Sequence, residues 1–283
     1  MTTNGAAQTV TTGSGNITIT DDSTGTLTVN AAALAAGSTL TLMGAGPATV
    51  TNLKSNLVAT GDSGPITVTA TGATAQTVTT GSGNISIADS TGTDTVNAAA
   101  LSAGNTLTLS GSTAKTVNSL QGNLLVSSGN GSTTVTATGS GPQSITTGNG
   151  ADTIIAETTG GDTIHGGGGA DNINVTGHTA ADTFTYSATT DSLNTTAGHD
   201  TITGFSGSDL LDFSSLNPSL KVGGLEAAGS QIAADSIAWV NLGASGMGVY
   251  VNDTTNALAT TNTSLMETTL AGVSSLSASN FHA

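Results

Sequence analysis

The sequence has no cysteine and no arginine, and only Lys54, Lys115 and Lys221 oppose 18 acidic side chains, for a formal net charge of −15. Without cysteine there is neither a disulfide nor a thiolate metal site, so a long chain outside the cell needs another staple. Without clustered Lys or Arg, nucleic acid and anionic lipid are poor partners, and cations are the natural ones. No stretch approaches the roughly 18 consecutive apolar residues of a membrane-spanning helix, so no membrane span is expected. The opening Met1-Thr2-Thr3-Asn4-Gly5 lacks the basic and apolar regions of an ordinary signal peptide. The expectation is a cytosolic chain, one exported by a signal at its other end, or a piece of a longer protein. Aromatic rings are scarce, and all of them lie after residue 183: Phe184, Tyr186, Phe205, Phe213, Trp239, Tyr250 and Phe281. A slim aliphatic interior is expected before that point, and a rounder, ring-filled cap after it.

What is present is Thr, Ser, Gly, Ala and Val, arranged in a long repeat. Ala7-Gln8-Thr9-Val10-Thr11-Thr12-Gly13-Ser14-Gly15-Asn16-Ile17 returns almost unchanged 68 residues further on, from Ala75 through Ile85. Val29-Asn30-Ala31-Ala32-Ala33-Leu34 returns as Val96 through Leu101, and a third copy opens at Pro142-Gln143-Ser144-Ile145 before it diverges. Within the first copy, segments 8–12, 16–20, 26–30, 38–42, 48–53, 56–60 and 65–71 alternate Thr with Val, Ile or Leu. Gly, Ser, Asn or Asp separates them. That cadence predicts short strands with one apolar face, and such strands bury enough surface only when stacked as coils. The fold class expected is all-β, a parallel β-solenoid or β-roll with a C-terminal β-rich capping region. Its expected divisions are 1–141 for the two long repeats, 142–190 for a metal-binding roll and 191–283 for the cap and export-signal region.

The third copy turns into a sharper pattern. Gly166-Gly167-Gly168-Gly169-Ala170-Asp171-Asn172-Ile173-Asn174 matches the nonapeptide G-G-x-G-x-D-x-U-x at every position. Partial copies surround it at Gly148-Asn149-Gly150-Ala151-Asp152, Gly160-Gly161-Asp162 and Ala180-Ala181-Asp182. Asp-x-apolar continues at Asp191/Leu193, Asp200/Ile202 and Asp209/Leu211, so seven aspartates fall at spacings of 10, 9, 11, 9, 9 and 9. Calcium takes six to eight hard oxygen ligands, and glycine loops can turn their carbonyls inward where bulkier residues cannot. Nine acids and no Lys or Arg lie between Thr147 and Asp212. Metal-free, this stretch repels itself, and Ca2+ is expected to fold it by removing that repulsion. Gly-Asp pairs also occur in ordinary turns, where Asp bonds nearby amides. The earlier loops Gly13-Ser14-Gly15-Asn16 and Gly81-Ser82-Gly83-Asn84 offer Asn instead of carboxylate, and those coils are expected to hold without calcium.

Here the chain resembles the RTX family of glycine- and aspartate-rich calcium-binding repeats exported by type I secretion. The resemblance implies a parallel β-roll whose loops alternate between two edges, each calcium held between loops two repeats apart. Carried onto this sequence, Asp152 with Asp171 lines one edge and Asp162 with Asp182 the other. Carbonyls of Gly148, Gly150, Gly160, Gly167 and Gly169 complete the oxygen shells, with Asp200 and Asp209 as further ligands. Gly198 through Phe213 is similar to the segment that follows such repeats in secreted proteases. Ile237–Val240, Val249–Asp253 and Leu270–Ala283 are similar to the family's terminal cap and uncleaved export signal. The resemblance covers roughly residues 142–283 and implies the type I secretion machinery as a partner and an extracellular or cell-surface location.

No enzyme is expected. His165, His178, His199 and His282 lie in or beside turns or near the terminus, and no H-E-x-x-H, G-x-S-x-G or Walker loop is present. The leading expectation is a calcium-binding structural protein of a surface layer or biofilm, as scaffold or adhesin, whose copies could assemble with calcium between them. Two alternatives stay open: the non-catalytic RTX tail of a secreted hydrolase or epimerase, and an ice-binding solenoid presenting its recurrent Thr-x-Thr pairs.

Overall fold

A computed structural model describes residues 1–3, 6–22, 24–72, 75–89, 91–129, 131–195 and 197–283. The chain forms two compact units, Met1–Gly139 and Ser140–Ala283. Helix among the described residues is limited to the three-residue 3-10 turns Thr189–Asp191, Gly243–Ser245 and Ala278–Asn280. None is long and apolar enough to cross a membrane.

The first unit winds as a parallel β-solenoid. Strands Gln8–Thr11, Ile17–Asp21, Leu27–Asn30, Thr39–Gly44, Ala48–Leu53, Asn56–Asp62 and Ile66–Ala70 fall within two residues of the alternating segments in the sequence. Each pairs in parallel with the next strand but one: Gln8–Thr11 with Leu27–Asn30, for example, and Ile17–Asp21 with Thr39–Gly44. Parallel pairing needs a crossover, and the strand of the opposite sheet supplies it. The register then stacks like on like. Val10, Val29, Val50, Val68, Ile87 and Leu109 form one buried file. Leu57, Val78, Val96, Val117 and Val135 form the other.

Outward positions carry hydroxyls, and Thr9, Thr28, Thr49, Thr67 and Ser86 stand in register beside the first file. On the opposite sheet Thr77, Thr95, Thr116 and Thr134 stand in register, whereas the next outward position on the first sheet does not continue as a file of hydroxyls. Asn30 interrupts it at Thr11↔Asn30↔Thr51, and a register shift between Val50 and Leu53 offsets the next coil. Asn52 sits at that shift with φ +56°, and Ser119 repeats the left-handed geometry at φ +54° in the second long repeat.

Charge is buried at one end of these coils. Gln76, Asp94, Lys115 and Thr133 open successive strands in register and are all buried, two residues ahead of the core positions Val78, Val96, Val117 and Val135. Lys115 Nζ lies 3.7 Å from Asp94 Oδ2 and donates to the Asp89 carbonyl at 3.4 Å and to Thr113 Oγ1 at 3.3 Å. Burial, together with the neighbouring Asp89 carboxyl, pushes the Asp94 carboxyl up to about 7 against the pull of Lys115. The lysine is thus a cation tethered among acids.

The second unit opens with shorter coils. Thr153–Ile155, Asn172–Asn174 and Asp200–Thr203 make one parallel sheet. Ser144–Thr146, Thr163–His165, Thr183–Thr185 and Leu210–Asp212 make the other. Met266–Ala271 then adds in parallel to Asp200–Thr203, and Phe281–His282 to Leu210–Asp212. Beyond Met266–Ala271 the pairing turns antiparallel through Met247–Asn252 to Ser236–Asn241. The rings are not confined to this cap, as the sequence suggested. Phe184 packs on Phe205 with centroids 5.8 Å apart and Tyr186 on Phe213 at 5.2 Å, filling the interior of the coils, while Trp239 stacks on Phe281 at 4.9 Å in the cap.

The buried lysine supplies a test of the first unit. Lys115→Met leaves Asp89 and Asp94 enclosed without a cation and is expected to cost about 3–5 kcal/mol in urea unfolding near neutral pH. Adding Asp94→Asn to that variant should recover a large part of the loss.

Candidate metal centre

From Thr153–Ile155 onward, each short coil has an aspartate two residues ahead of a core side chain: Asp152 before Ile154, Asp162 before Ile164, Asp171 before Ile173, Asp182 before Phe184, Asp200 before Ile202 and Asp209 before Leu211. Strand periodicity therefore turns its carboxylate toward the interior, beneath the glycine turn, and all six are 2% exposed or less.

Buried carboxylates need donors, and here the backbone of the preceding coil on the same edge provides them. Asp152 N–H donates to Asp171 Oδ1 at 2.9 Å, and Asp171 N–H to Asp200 Oδ1 at 2.9 Å. On the other edge Gln143 N–H donates to Asp162 Oδ1 at 2.9 Å, Asp162 N–H to Asp182 Oδ1 at 2.8 Å and Asp182 N–H to Asp209 Oδ1 at 2.9 Å. Each bond satisfies one oxygen of a buried carboxyl. The structure thus brings Asp152 to Asp171 and Asp162 to Asp182, the two pairings that the resemblance implies.

The second carboxylate oxygens divide the aspartates. Asp162 Oδ2 accepts from Thr158 Oγ1 at 2.7 Å, and Asp209 Oδ2 accepts from the Ser206 N–H at 2.7 Å. Asp200 is bonded by the Tyr186 hydroxyl. Asp171 Oδ2 and Asp182 Oδ2 are buried with no hydrogen-bond partner. Burial pushes Asp171 up to about 9, with the Asp200 and Asp152 carboxylates adding to it and the Asp152 N–H opposing. Burial likewise raises Asp200 to about 8 and Asp182 to about 6, each opposed by the ladder bond it accepts.

The glycines are required by close approach. Gly167 has φ +83°, and a Cβ there would lie 2.0 Å from the Gly148 carbonyl oxygen; Gly169 has φ +130°, and its Cβ would lie 2.4 Å from that of Gly150. A Cβ on Gly160 would strike the Gly141 carbonyl at 2.4 Å, and one on Gly166 would meet Asp171 Oδ2 at 2.2 Å. Backbone carbonyls and orphaned carboxylate oxygens are therefore crowded together in an all-oxygen set that fits a hard dication. Asp152 and Asp171 with the carbonyls of Gly148, Gly150, Gly167 and Gly169 could hold one on the first edge. Asp162 and Asp182 with Gly160 are the corresponding set on the second.

Two sequence signals misled or were missed. Asp191 continues the nine-residue spacing but stands on neither ladder. It lies in the 3-10 turn Thr189–Asp191, where its Oδ2 accepts from Ser187 N–H at 2.7 Å and Ala188 N–H at 2.9 Å. Asp200 takes the next rung instead. His178 was missed. In Gly177-His178-Thr179-Ala180-Ala181-Asp182 it fills the place that Gly167 has in the perfect nonapeptide, and His178, Asp182 and Asp209 present ligand atoms within 4.8 Å of one another. Burial alone would lower its pKa. The Val175 carbonyl and the Asp209 and Asp182 carboxylates outweigh that and raise it.

The raised carboxyls set a pH dependence for the metal-free protein. Folded Asp182, Asp200 and Asp171 keep their protons to about 6, 8 and 9, whereas the unfolded groups release theirs near pH 4. Their contribution to stability is therefore complete below about pH 4 and is lost as pH climbs through those higher values. In chelator, far-ultraviolet circular dichroism should show β structure of the second unit gained on acidification toward pH 4–5 and lost by pH 9. Saturating calcium should restore it at neutral pH.

No curated protein matches the chain. Among solved structures, the solution structure of the AlgE6R3 subunit from the Azotobacter vinelandii mannuronan C5-epimerase is 28% identical over 50% of this chain and 73% of its own, with a TM-score of 0.36. The family model described as Peptidase M10 serralysin C terminal matches residues 68–228, more than half of the 283 and inclusive of both aspartate ladders. On that match the chain belongs to the serralysin C-terminal family, an RTX-type calcium-binding repeat family.

Proposed function

We propose that the chain is a calcium-loaded structural segment of an exported bacterial surface protein, part of a surface layer or of a biofilm scaffold or adhesin. On this reading it crosses the envelope unfolded by type I secretion and winds up on meeting calcium outside. The observation that carries the calcium assignment is Asp171 Oδ2, buried without a donor under glycines whose turns admit no side chain. A cation there supplies the charge that the nearly lysine-free second unit lacks. The metal-binding segment then extends from residue 142 through Leu210–Asp212, because both ladders end at Asp200 and Asp209.

A structural role is favoured over catalysis by the surfaces described. The groove bounded by Pro65, Thr67, Asn84, Ser86, Thr106 and Thr108 contains no titratable side chain. The family takes its name from a peptidase, yet no H-E-x-x-H occurs in the sequence, and the match is to the C-terminal part. That match also favours a second reading, in which the chain is the non-catalytic tail of a longer secreted hydrolase.

Calcium titration followed by circular dichroism tests the assignment. Asp171→Asn should weaken the calcium response on the order of tenfold or more, because ligand charge sets affinity in such oxygen sites. Asp212→Asn, at a carboxylate bonded to Ser214 and His282 outside the ladders, should leave it unchanged. Light scattering separates the two readings: a mass that rises with protein concentration in calcium and collapses in chelator supports a lattice, and a monomer throughout supports a tail.

A further inference from the structure

The edge that carries Asp182 and Asp209 differs in chemistry from the glycine loops. His178 Nδ1 lies 2.7 Å from the Val175 carbonyl oxygen. A carbonyl only accepts, so Nδ1 carries the hydrogen, and in the neutral ring Nε2 is left with its lone pair outward. That nitrogen points at Asp209 Oδ1, 3.1 Å away, an oxygen already accepting the Asp182 N–H. Asp182 Oδ2 is fully buried and has no donor. The Ser206 hydroxyl is 3.4 Å from Nε2, and the His178 side chain itself is only 6% exposed. Three electron-pair donors thus face one another with no Lys or Arg anywhere between residues 147 and 212.

Only a proton on Nε2 or a metal ion between these groups reconciles that arrangement. Calcium is a poor candidate, because it selects oxygen and the loop has lost the glycine carbonyl geometry to an imidazole. One imidazole nitrogen with two carboxylates suits a borderline dication with three protein ligands and one open position. The Nδ1–H bond to a backbone carbonyl is the support that orients metal-bound histidines.

We propose that His178, Asp182 and Asp209 form a binding site for a Zn2+-class dication, which adjoins the calcium set of the second edge and shares Asp182 with it. The site requires only that the second unit be folded. Zn2+ chloride titrated into the full chain in excess calcium, followed by calorimetry, should show one zinc equivalent. His178→Gln should bind it at least tenfold more weakly while its calcium-induced circular dichroism stays that of wild type. Co2+ in place of zinc should give ligand-field absorption in wild type and not in the variant.

Equal zinc affinity in wild type and His178→Gln overturns the proposal. So does a nitrogen-15 NMR spectrum in which Nε2 keeps its proton with zinc in excess, since the imidazolium is then the cation. A wild-type chain that does not fold in calcium counts against the calcium reading alone. Zinc that then folds wild type but not His178→Gln still supports this site, and zinc without effect overturns it.

Discussion

A carboxylate enclosed at the end of a narrow coil has to find positive charge, and the rest of this protein is arranged around that requirement. The coils are too slim to keep polar groups at a distance from their interior, so the side chain two residues ahead of each core position is sealed beneath a turn. Where that side chain is acidic, something must face it. In the first unit Asp94 meets the ammonium of Lys115. In the second unit the partners are backbone N–H groups of the neighbouring coil, which satisfy one oxygen of Asp162, Asp171, Asp182, Asp200 and Asp209 and leave Asp171 Oδ2 and Asp182 Oδ2 over.

Glycine follows from the same geometry. Loops that bring carbonyls against a buried carboxylate pass within van der Waals contact of the loop before them, so Gly167 and Gly169 cannot carry a side chain. Gly81 and Gly83 in the first unit meet the same limit, with added Cβ atoms 2.0 Å from the Asp62 carbonyl and 2.4 Å from that of Gly64. The close winding is therefore common to coils with and without the aspartate motif.

The strands of the first long repeat were legible in the sequence because Thr and Val alternate with a period of two and turn residues mark every end. The pairing of Asp152 with Asp171 and of Asp162 with Asp182 was legible through the resemblance to the RTX repeats, which implies loops alternating between two edges. Asp191 was not, since spacing along the chain cannot distinguish a rung from a carboxylate that caps a local turn over Ser187 and Ala188. Lys115 and His178 escaped for a related reason. Each is one residue in a loop-like stretch, and its significance lies in a partner across the coil, Asp94 in one case and Asp209 in the other. The rings at Phe184, Tyr186, Phe205 and Phe213 looked like cap residues by position, yet they widen the core of the coils themselves.

The aspartate ladder also has an arrow. Each carboxylate grips the backbone of a coil that precedes it in sequence: Asp209 grips Asp182, Asp182 grips Asp162, and Asp200 grips Asp171. The rearmost rungs are anchored by other means, Asp200 through its N–H to Ser192 Oγ and Asp209 through Ser206. The strands Met266–Ala271 and Phe281–His282 lie directly against their coils. Loss of one carboxylate, Asp182 for example, therefore frees an N–H of the coil before it, that of Asp162, and none of the coil after it.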